Sequence, residues 1–496
     1  MTDLRTKTGM AVRWQMMRMV AAVFVNFIYL AIVARHVSQD SFGILAIANA
    51  SIALLTFFSE FGFGAALIQK DKITIEDISR TWNLSFFTSI IVALILVVAS
   101  VPISMFYNEP ILRGVILVLA LVMLIRGVGV VSDSLLIRDL DYRKIFIADV
   151  SGLILGNLLV GSLLAISGFE VWALIGAYFA GALIPTLLKF YFRPVKLVFP
   201  KRSDLDDNLR YIIKYGFSLT GVRLFHQVAM QSDKLVLGKV MPNSVVGMYD
   251  KSMYLANVPL TYYGSAFDSV LFSAFSKFQT DLVKLKKHFF SFLLLSSALF
   301  SFLYVTFYFR AEDIILFVLG DTWSGAVELF KHLSLLIPFV VFTRFCDTYV
   351  RARNLFQKSI KVKIIYLVLV LTSLIGLYSY GIITVIFGLL GSAAIHAILL
   401  LSICIKDLNT GWNDFLGFMN KLLIVIGAVF LVNAFSNYLF DYFTIDGYGI
   451  RLIVTGVLLA TLAVLVVRNI KFFLGDKIYQ YLLTDNNNPL LNYILK

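Results

Sequence analysis

The chain has 496 residues, of which 59% are hydrophobic and only 15% charged, and its mean hydropathy is +0.86. Soluble globular chains carry about 25% charged residues, so this chain cannot coat itself for water and reads as an all-α integral membrane protein. Lys and Arg number 43 against 30 Asp and Glu, a net charge of +13. Such an excess must be apportioned between the two sides of a membrane before it can signal a nucleic-acid partner.

A membrane-crossing helix needs about 20 mostly apolar residues. In chain order, apolar stretches lie near 12–34, 42–66, 82–106, 111–135, 145–167, 171–192 and 209–232. They continue near 245–275, 288–309, 326–347, 360–379, 381–405, 415–437 and 448–469, which makes about 14 transmembrane helices. Arg5, Lys7, Arg13 and Arg18 precede the first apolar run as in a signal peptide. No small-x-small cleavage site with a mature domain follows, so a retained first span is expected. Cys346 and Cys404 fall in apolar stretches and are expected to be reduced packing residues, without a disulfide framework or a cysteine metal site.

An even span count places both termini on one side. With the termini cytoplasmic, 27 Lys and Arg occupy inner loops and tails, against four outside: Arg35, Lys234, Lys239 and Arg310. The positive-inside rule favours this orientation. The net charge is then mostly topology, and a nucleic-acid partner loses its motivation.

A shift of 204 residues aligns Ala31-Ile32-Val33-Ala34-Arg35 with Leu235-Val236-Leu237-Gly238-Lys239 and Gly43-Ile44 with Gly247-Met248. Six spans separate the copies, so both halves face the same way, as parallel repeats. The expected architecture is two six-helix lobes, 1–208 and 209–410, around a central cavity. Two extra C-terminal helices (411–470) and a cytoplasmic tail (471–496) follow. Such lobes suit alternating access to a site near the midplane.

Ionisable residues inside spans cost roughly 2.5–3.5 kcal/mol each on insertion scales, so each marks a cavity, a partner or a helix end. Arg13 and Arg18 open span 1, where snorkelling to the inner headgroups competes with a cavity role. Span 7 carries Arg223, His226 and Gln227 near its middle. Span 8 carries Asp250, Lys251, Tyr254, Asn257, Pro259 and Tyr262, with Lys251, Tyr254 and Tyr262 on one face. Bases beside tyrosines and an asparagine suit an anionic, sugar-bearing ligand. The plainer alternatives are neutralisation of Asp250 and Lys251 by each other or by nearby charges, and an interfacial tyrosine belt.

Glu60, Asp133 and Asp149 are candidates for coupling transport to H⁺ or Na⁺, with structural pairing to Arg126 or another base as the alternative. Arg344 and Asp347, three apart, are expected to pair, and His396 to be a packing residue. Asp139-Leu140-Asp141 has the form of a metal–nucleotide motif but occupies a short loop with no nucleotide-binding domain around it. No Walker A, HExxH or GxSxG motif is present, so no cofactor and no ATP hydrolysis within the chain are expected.

The run Ala34-Arg35, Phe42-Gly43-Ile44-Leu45, Phe61-Gly62, Ala66-Leu67-Ile68-Gln69-Lys70 and Trp82-Asn83-Leu84 resembles the start of the polysaccharide-transporter family. These are Wzx-type lipid-linked oligosaccharide flippases of the multidrug/oligosaccharidyl-lipid/polysaccharide exporter superfamily. Leu136-Ile137-Arg138-Asp139-Leu140-Asp141-Tyr142-Arg143 is similar to the connection between that family's fourth and fifth spans. Asp233 to Lys239, Gly247-Met248-Tyr249, Val258-Pro259-Leu260 and Val270-Leu271-Phe272 are similar to its mid-chain pattern. The resemblance covers about residues 10–290.

It implies a non-enzymatic protein of the bacterial inner membrane that moves an undecaprenyl-pyrophosphate-linked oligosaccharide between leaflets. An ion gradient or the membrane potential would drive it, and a polysaccharide polymerase is a possible partner. Asp250-Lys251 departs from the family's small or aromatic residues. A multidrug antiporter on the same scaffold and a membrane-embedded polymerase or ligase are the rivals. The first would prefer an acidic cavity, and the second a larger outer loop than 310–325.

Overall fold

The computed structural model describes residues 2–60, 63–195 and 231–468. Of these, 2–6, 54–60, 262–267, 269, 270, 356, 412, 414, 467 and 468 are described by backbone alone. Among the described residues the structure is helical, and eleven helices are long and apolar enough to cross a membrane. They match the expected spans 1, 3–6 and 9–14. Spans 2 and 8 coincide with helices of 22 and 35 residues, and most of span 7 lies outside the described residues.

By contacts the chain divides into two units, Met1–Asp250 and Lys251–Lys496. The lobe boundary read from the repeat, 208/209, falls among residues outside the described set.

The first unit comprises α1 (Thr2–Val33), α2 (Gln39–Glu60), α3 (Phe63–Gln69), α4 (Ile75–Tyr107), α5 (Ile111–Arg138) and α6 (Tyr142–Ser151). A ten-residue π-helix, Gly152–Gly161, leads into α7 (Ser162–Ile166) and α8 (Val171–Phe192). Residues 231–240 form α9, and α10 (Asn243–Lys277) begins in this unit and runs on into the second.

Local sequence sets the helix ends. A capping box of Thr74 and Asp77 starts α4, and Asn108, at φ +57°, terminates it. The carboxylate of Asp141 accepts from the Lys144 N–H at 3.4 Å to start α6, after Leu140 turns the chain at φ +58°.

With no hydrophobic force between helices in lipid, close approach of small residues drives their packing. A Cβ on Gly127 of α5 would stand 2.4 Å from the Cβ of Ser89 on α4. The π-helix meets α8 still more tightly. A Cβ on Gly156 would stand 2.4 Å from the Gly181 backbone nitrogen, and one on Gly152 2.7 Å from the Pro185 ring.

The second unit continues with α11 (Leu282–Phe309), α12 (Ala311–Leu319), α13 (Ala326–Ser334) and α14 (Ile337–Ala352). Then come α15 (Phe356–Leu377), α16 (Ile382–Asp407), α17 (Trp412–Tyr442) and α18 (Tyr448–Arg468). Its core is aromatic. Phe275 meets Phe345 edge-on at 5.6 Å, and Phe289 meets Tyr349 edge-on at 5.0 Å, joining α10, α11 and α14. Cys346 and Cys404 lie buried in this core as free thiols.

At the other end of the first unit the loop before α8 holds Glu170, whose carboxylate accepts from the Ser38 N–H (2.9 Å), the Ser38 hydroxyl (2.7 Å) and the Ser41 hydroxyl (2.9 Å). An acid there complements the N-terminus of α2. Burial pushes this carboxyl upward, but the hydrogen bonds from Ser38 and Ser41 outweigh it and hold the pKa below the ordinary glutamate value.

Two outcomes are expected. Gly156→Val should lower the melting temperature of the detergent-solubilised protein, because the Gly181 backbone must retreat; overpacking of this kind costs about 1–3 kcal/mol. Glu170→Gln should lower it at pH 7. A depressed carboxyl stabilises above its unfolded pKa of about 4.3 and loses that contribution as pH falls through the folded value. The difference between the two proteins should therefore close below about pH 4 in melts across pH.

Candidate functional site

The first unit joins four of its intramembrane charges into one chain. Arg18 of α1 donates to Asp149 of α6 at 2.5 Å. The other oxygen of Asp149 meets the ammonium of Lys189 on α8 at 2.7 Å, and the same ammonium reaches Asp133 of α5 at 2.6 Å. Four helices thus place two bases and two acids in alternation, so the network is neutral with every charge beside its opposite. Lys189 is its centre, with a side chain 14% exposed, while Arg18 is 32% and Asp133 35% exposed. The two ends of the chain therefore remain approachable.

Three residues singled out from the sequence, Arg18, Asp133 and Asp149, come together here. Lys189 was missed because it lies in the last turn of α8, where a lysine counts as an inner-loop base. Arg126, the partner considered for the acids, instead donates to the Tyr178 hydroxyl at 3.3 Å and lies over its ring. Arg13 is exposed on α1. Glu60 ends α2, but its side chain lies outside the described residues, as do Arg223, His226, Gln227 and the side chain of Tyr262.

Asp250 at the end of the first unit pairs with Lys234 of α9 at 2.8 Å, and the neighbouring Asp233 accepts from the Tyr249 hydroxyl at 2.9 Å. Asp250 thus has a nearby base as a partner, one of the plainer alternatives read from the sequence. In the second unit Lys251 lies over the ring of Tyr254, 5.7 Å from its centroid, with Asn257 half-buried further along α10.

The expected Arg344–Asp347 pair does not form. Arg344 of α14 reaches across to Asp268 of α10 at 2.9 Å, and Asp347 takes Lys363 of α15 at 3.0 Å. Partners on neighbouring helices displace the local one. Asp268 also accepts from the Thr348 hydroxyl at 3.2 Å, and Arg344 donates to the Leu260 carbonyl at 3.2 Å, so α10 is tied to α14 at three points. His396 is buried and stacked on Tyr366 at 4.3 Å, as a packing histidine would be, although its Nε2 finds no hydrogen-bond partner among the described residues.

The Asp139-Leu140-Asp141 motif is structural. Asp139 pairs with Arg193 at 3.2 Å and Asp141 with Lys144 at 2.8 Å. Arg138 beside it donates to the carbonyls of Leu67 (2.6 Å), Ile68 (3.2 Å), Lys70 (2.5 Å) and Asp71 (2.8 Å). One guanidinium fork thereby satisfies the open C-terminal end of α3.

A family model described as "Polysaccharide biosynthesis protein" matches residues 32–328. The chain belongs to this family. Two of its relatives are the lipopolysaccharide biosynthesis protein WzxC of Escherichia coli (strain K12) and the succinoglycan biosynthesis transport protein ExoT of Rhizobium meliloti (strain 1021). WzxC is 24% identical over 340 residues, 67% of either chain. ExoT is 24% identical over 328 residues, 65% of either chain, so the alignments span about two thirds of these relatives.

Among solved structures, the lipid II flippase MurJ has a TM-score of 0.68 over 93% of this chain and 99% of its own, at 14% identity. A multidrug resistance MATE family transporter of the MOP superfamily scores 0.59 over 78% and 95%, at 15% identity. These two share the fold. The resemblance read from residues 10–290 is thereby confirmed at the level of family and fold, and the protein is a multi-pass membrane protein of polysaccharide biosynthesis.

Replacing Lys189 with methionine leaves Asp133 and Asp149 side by side without their shared cation. Breaking a buried pair costs about 3–5 kcal/mol and an exposed one about 0–1. With Lys189 mostly buried and its two acids partly exposed, a loss between these limits, about 1–3 kcal/mol, is expected in melts of the purified protein, and Lys189→Arg should recover most of it.

Proposed function

We propose that this protein is a flippase, not an enzyme, that moves an undecaprenyl-pyrophosphate-linked oligosaccharide across the bacterial inner membrane by alternating access. The observation that carries the reading is family membership over residues 32–328 in a chain whose fold is that of MurJ and of multidrug transporters. The alternating charges of the first unit support it. A pyrophosphate brings negative charge into the membrane, and pre-placed bases that are already neutralised can exchange an internal carboxylate for a phosphate oxygen without baring a charge to lipid.

In this reading Arg13, Arg18, Arg223 and Lys251 draw in the pyrophosphate from the cytoplasmic side, where both termini lie. Tyr254, Asn257 and Tyr262 contact sugar, and the lipid tail stays in the bilayer. Displacement of Asp149 from Arg18 would free a carboxylate, so Asp149 and Asp133, with Glu60 as a further candidate, would take up the coupling H⁺ or Na⁺. Rocking of the two lobes would then release the headgroup outside, where a polymerase partner could take it. The fold is shared with multidrug transporters, but a cationic drug gains nothing from bases at these positions.

The test is the leaflet distribution of lipid-linked oligosaccharide in the host, after depletion and after charge reversal at Arg223 or Lys251. Complete single units held on the inner face are expected in all three strains, with the variants still in the membrane. Units that reach the outer face but stay unpolymerised would sink the flippase reading in favour of an enzyme. Unchanged lipid-linked sugars in both leaflets would sink both.

A further inference from the structure

The 204-residue repeat has a structural counterpart at one end of the first unit. A Cβ on Gly43 of α2 would stand 1.9 Å from the carbonyl oxygen of Asn243 on α10. One on Gly247 of α10 would stand 2.1 Å from the carbonyl oxygen of Gln39 on α2, and 2.9 Å from the Gly43 nitrogen. Gly43 and Gly247 are equivalent positions of the repeat, and so are Gln39 and Asn243. Each glycine therefore receives the carbonyl of its counterpart's neighbour, the reciprocity that a two-fold interface imposes. Helices approach this closely only where both lack a side chain.

Polar contacts flank the crossing. Asn243 donates from Nδ2 to Glu109 at 2.6 Å, the Tyr107 hydroxyl donates to the Leu235 carbonyl at 3.1 Å, and the Lys239 ammonium donates to the Phe106 carbonyl. In this way the ends of α2 and α4, from the first repeat, are fastened to α9 and the start of α10, from the second. By the distribution of Lys and Arg this is the outer end.

We propose that this glycine crossing and its flanking hydrogen bonds form the outer latch of the transporter, which must part for the headgroup to leave. The proposal rests on the alternating-access reading given above. The contact suits a latch. Backbone fits backbone with no side chain to reorder, so it closes in a single register. The hydrogen bonds that hold it are few and lie at the water-facing end, where water can replace them when it opens.

The experiment uses the full chain with Cys346→Ser and Cys404→Ser, carrying Glu109→Cys and Asn243→Cys, whose native side chains touch. A short thiol-specific bifunctional reagent with a reducible link should join them in isolated membranes. Joined protein should hold lipid-linked oligosaccharide on the inner face, and reduction should restore export. Gly43→Leu or Gly247→Leu in the same background should cut the yield of joined protein several-fold, because the crossing cannot close. Export that continues undiminished through joined protein overturns the latch, as does an unchanged yield in both leucine variants. The yield is read without any transport, so a failed latch and a failed flippase assignment give different results.

Discussion

A charge inside a bilayer persists only beside a partner or water, and the first unit is organised around that constraint. Lys189 lies between Asp133 and Asp149, and Asp149 lies between Lys189 and Arg18. Since the four residues stand on α1, α5, α6 and α8, neutrality and helix arrangement become the same requirement: move one helix out of place and a charge is stranded in lipid. The glycine contacts of α8 with the π-helix keep α8 close enough for its lysine to reach both acids. Packing of small residues thus sets the distances, and electrostatics makes those distances obligatory.

The second unit answers the same constraint differently. Three of its ion pairs, Arg344 with Asp268, Lys363 with Asp347 and Arg353 with Asp407, join adjacent helices two by two. Asp407 also accepts from the Tyr349 hydroxyl at 2.7 Å, which connects the aromatic core to the end of α16. The first unit shares charges in a network with approachable ends, whereas the second staples helices together.

The helices were largely legible in the sequence, because a run of about 20 apolar residues has one stable form in lipid. The depth of Asp133, Asp149 and Arg18 within such runs also marked them as unusual. The lysine that the two acids share was not legible: helical phase says which residues share a face, but not which helix that face meets. The same gap explains Arg344 and Asp347, whose spacing of three suits a local pair although neighbouring helices offered better ones. The repeat was the exception. An alignment of Gly43 with Gly247 located a real contact between distant segments, because symmetry turns a sequence offset into a statement about space.

Arg310 has a consequence for the last two helices. It is 3% exposed and donates to Asp313, the Asn433 carbonyl and the Ser436 hydroxyl, while lying over the ring of Phe440. Asp313 in turn faces Arg451 at the start of α18. A buried guanidinium bonded to both α12 and α17 cannot be released gradually, since any intermediate position strands it. The far end of α17 is held as well, since Phe418 is buried against Phe290 and Phe342, so the C-terminal hairpin is part of the second unit's core, and a chain truncated after α16 would uncover Arg310 and not merely lose an appendage.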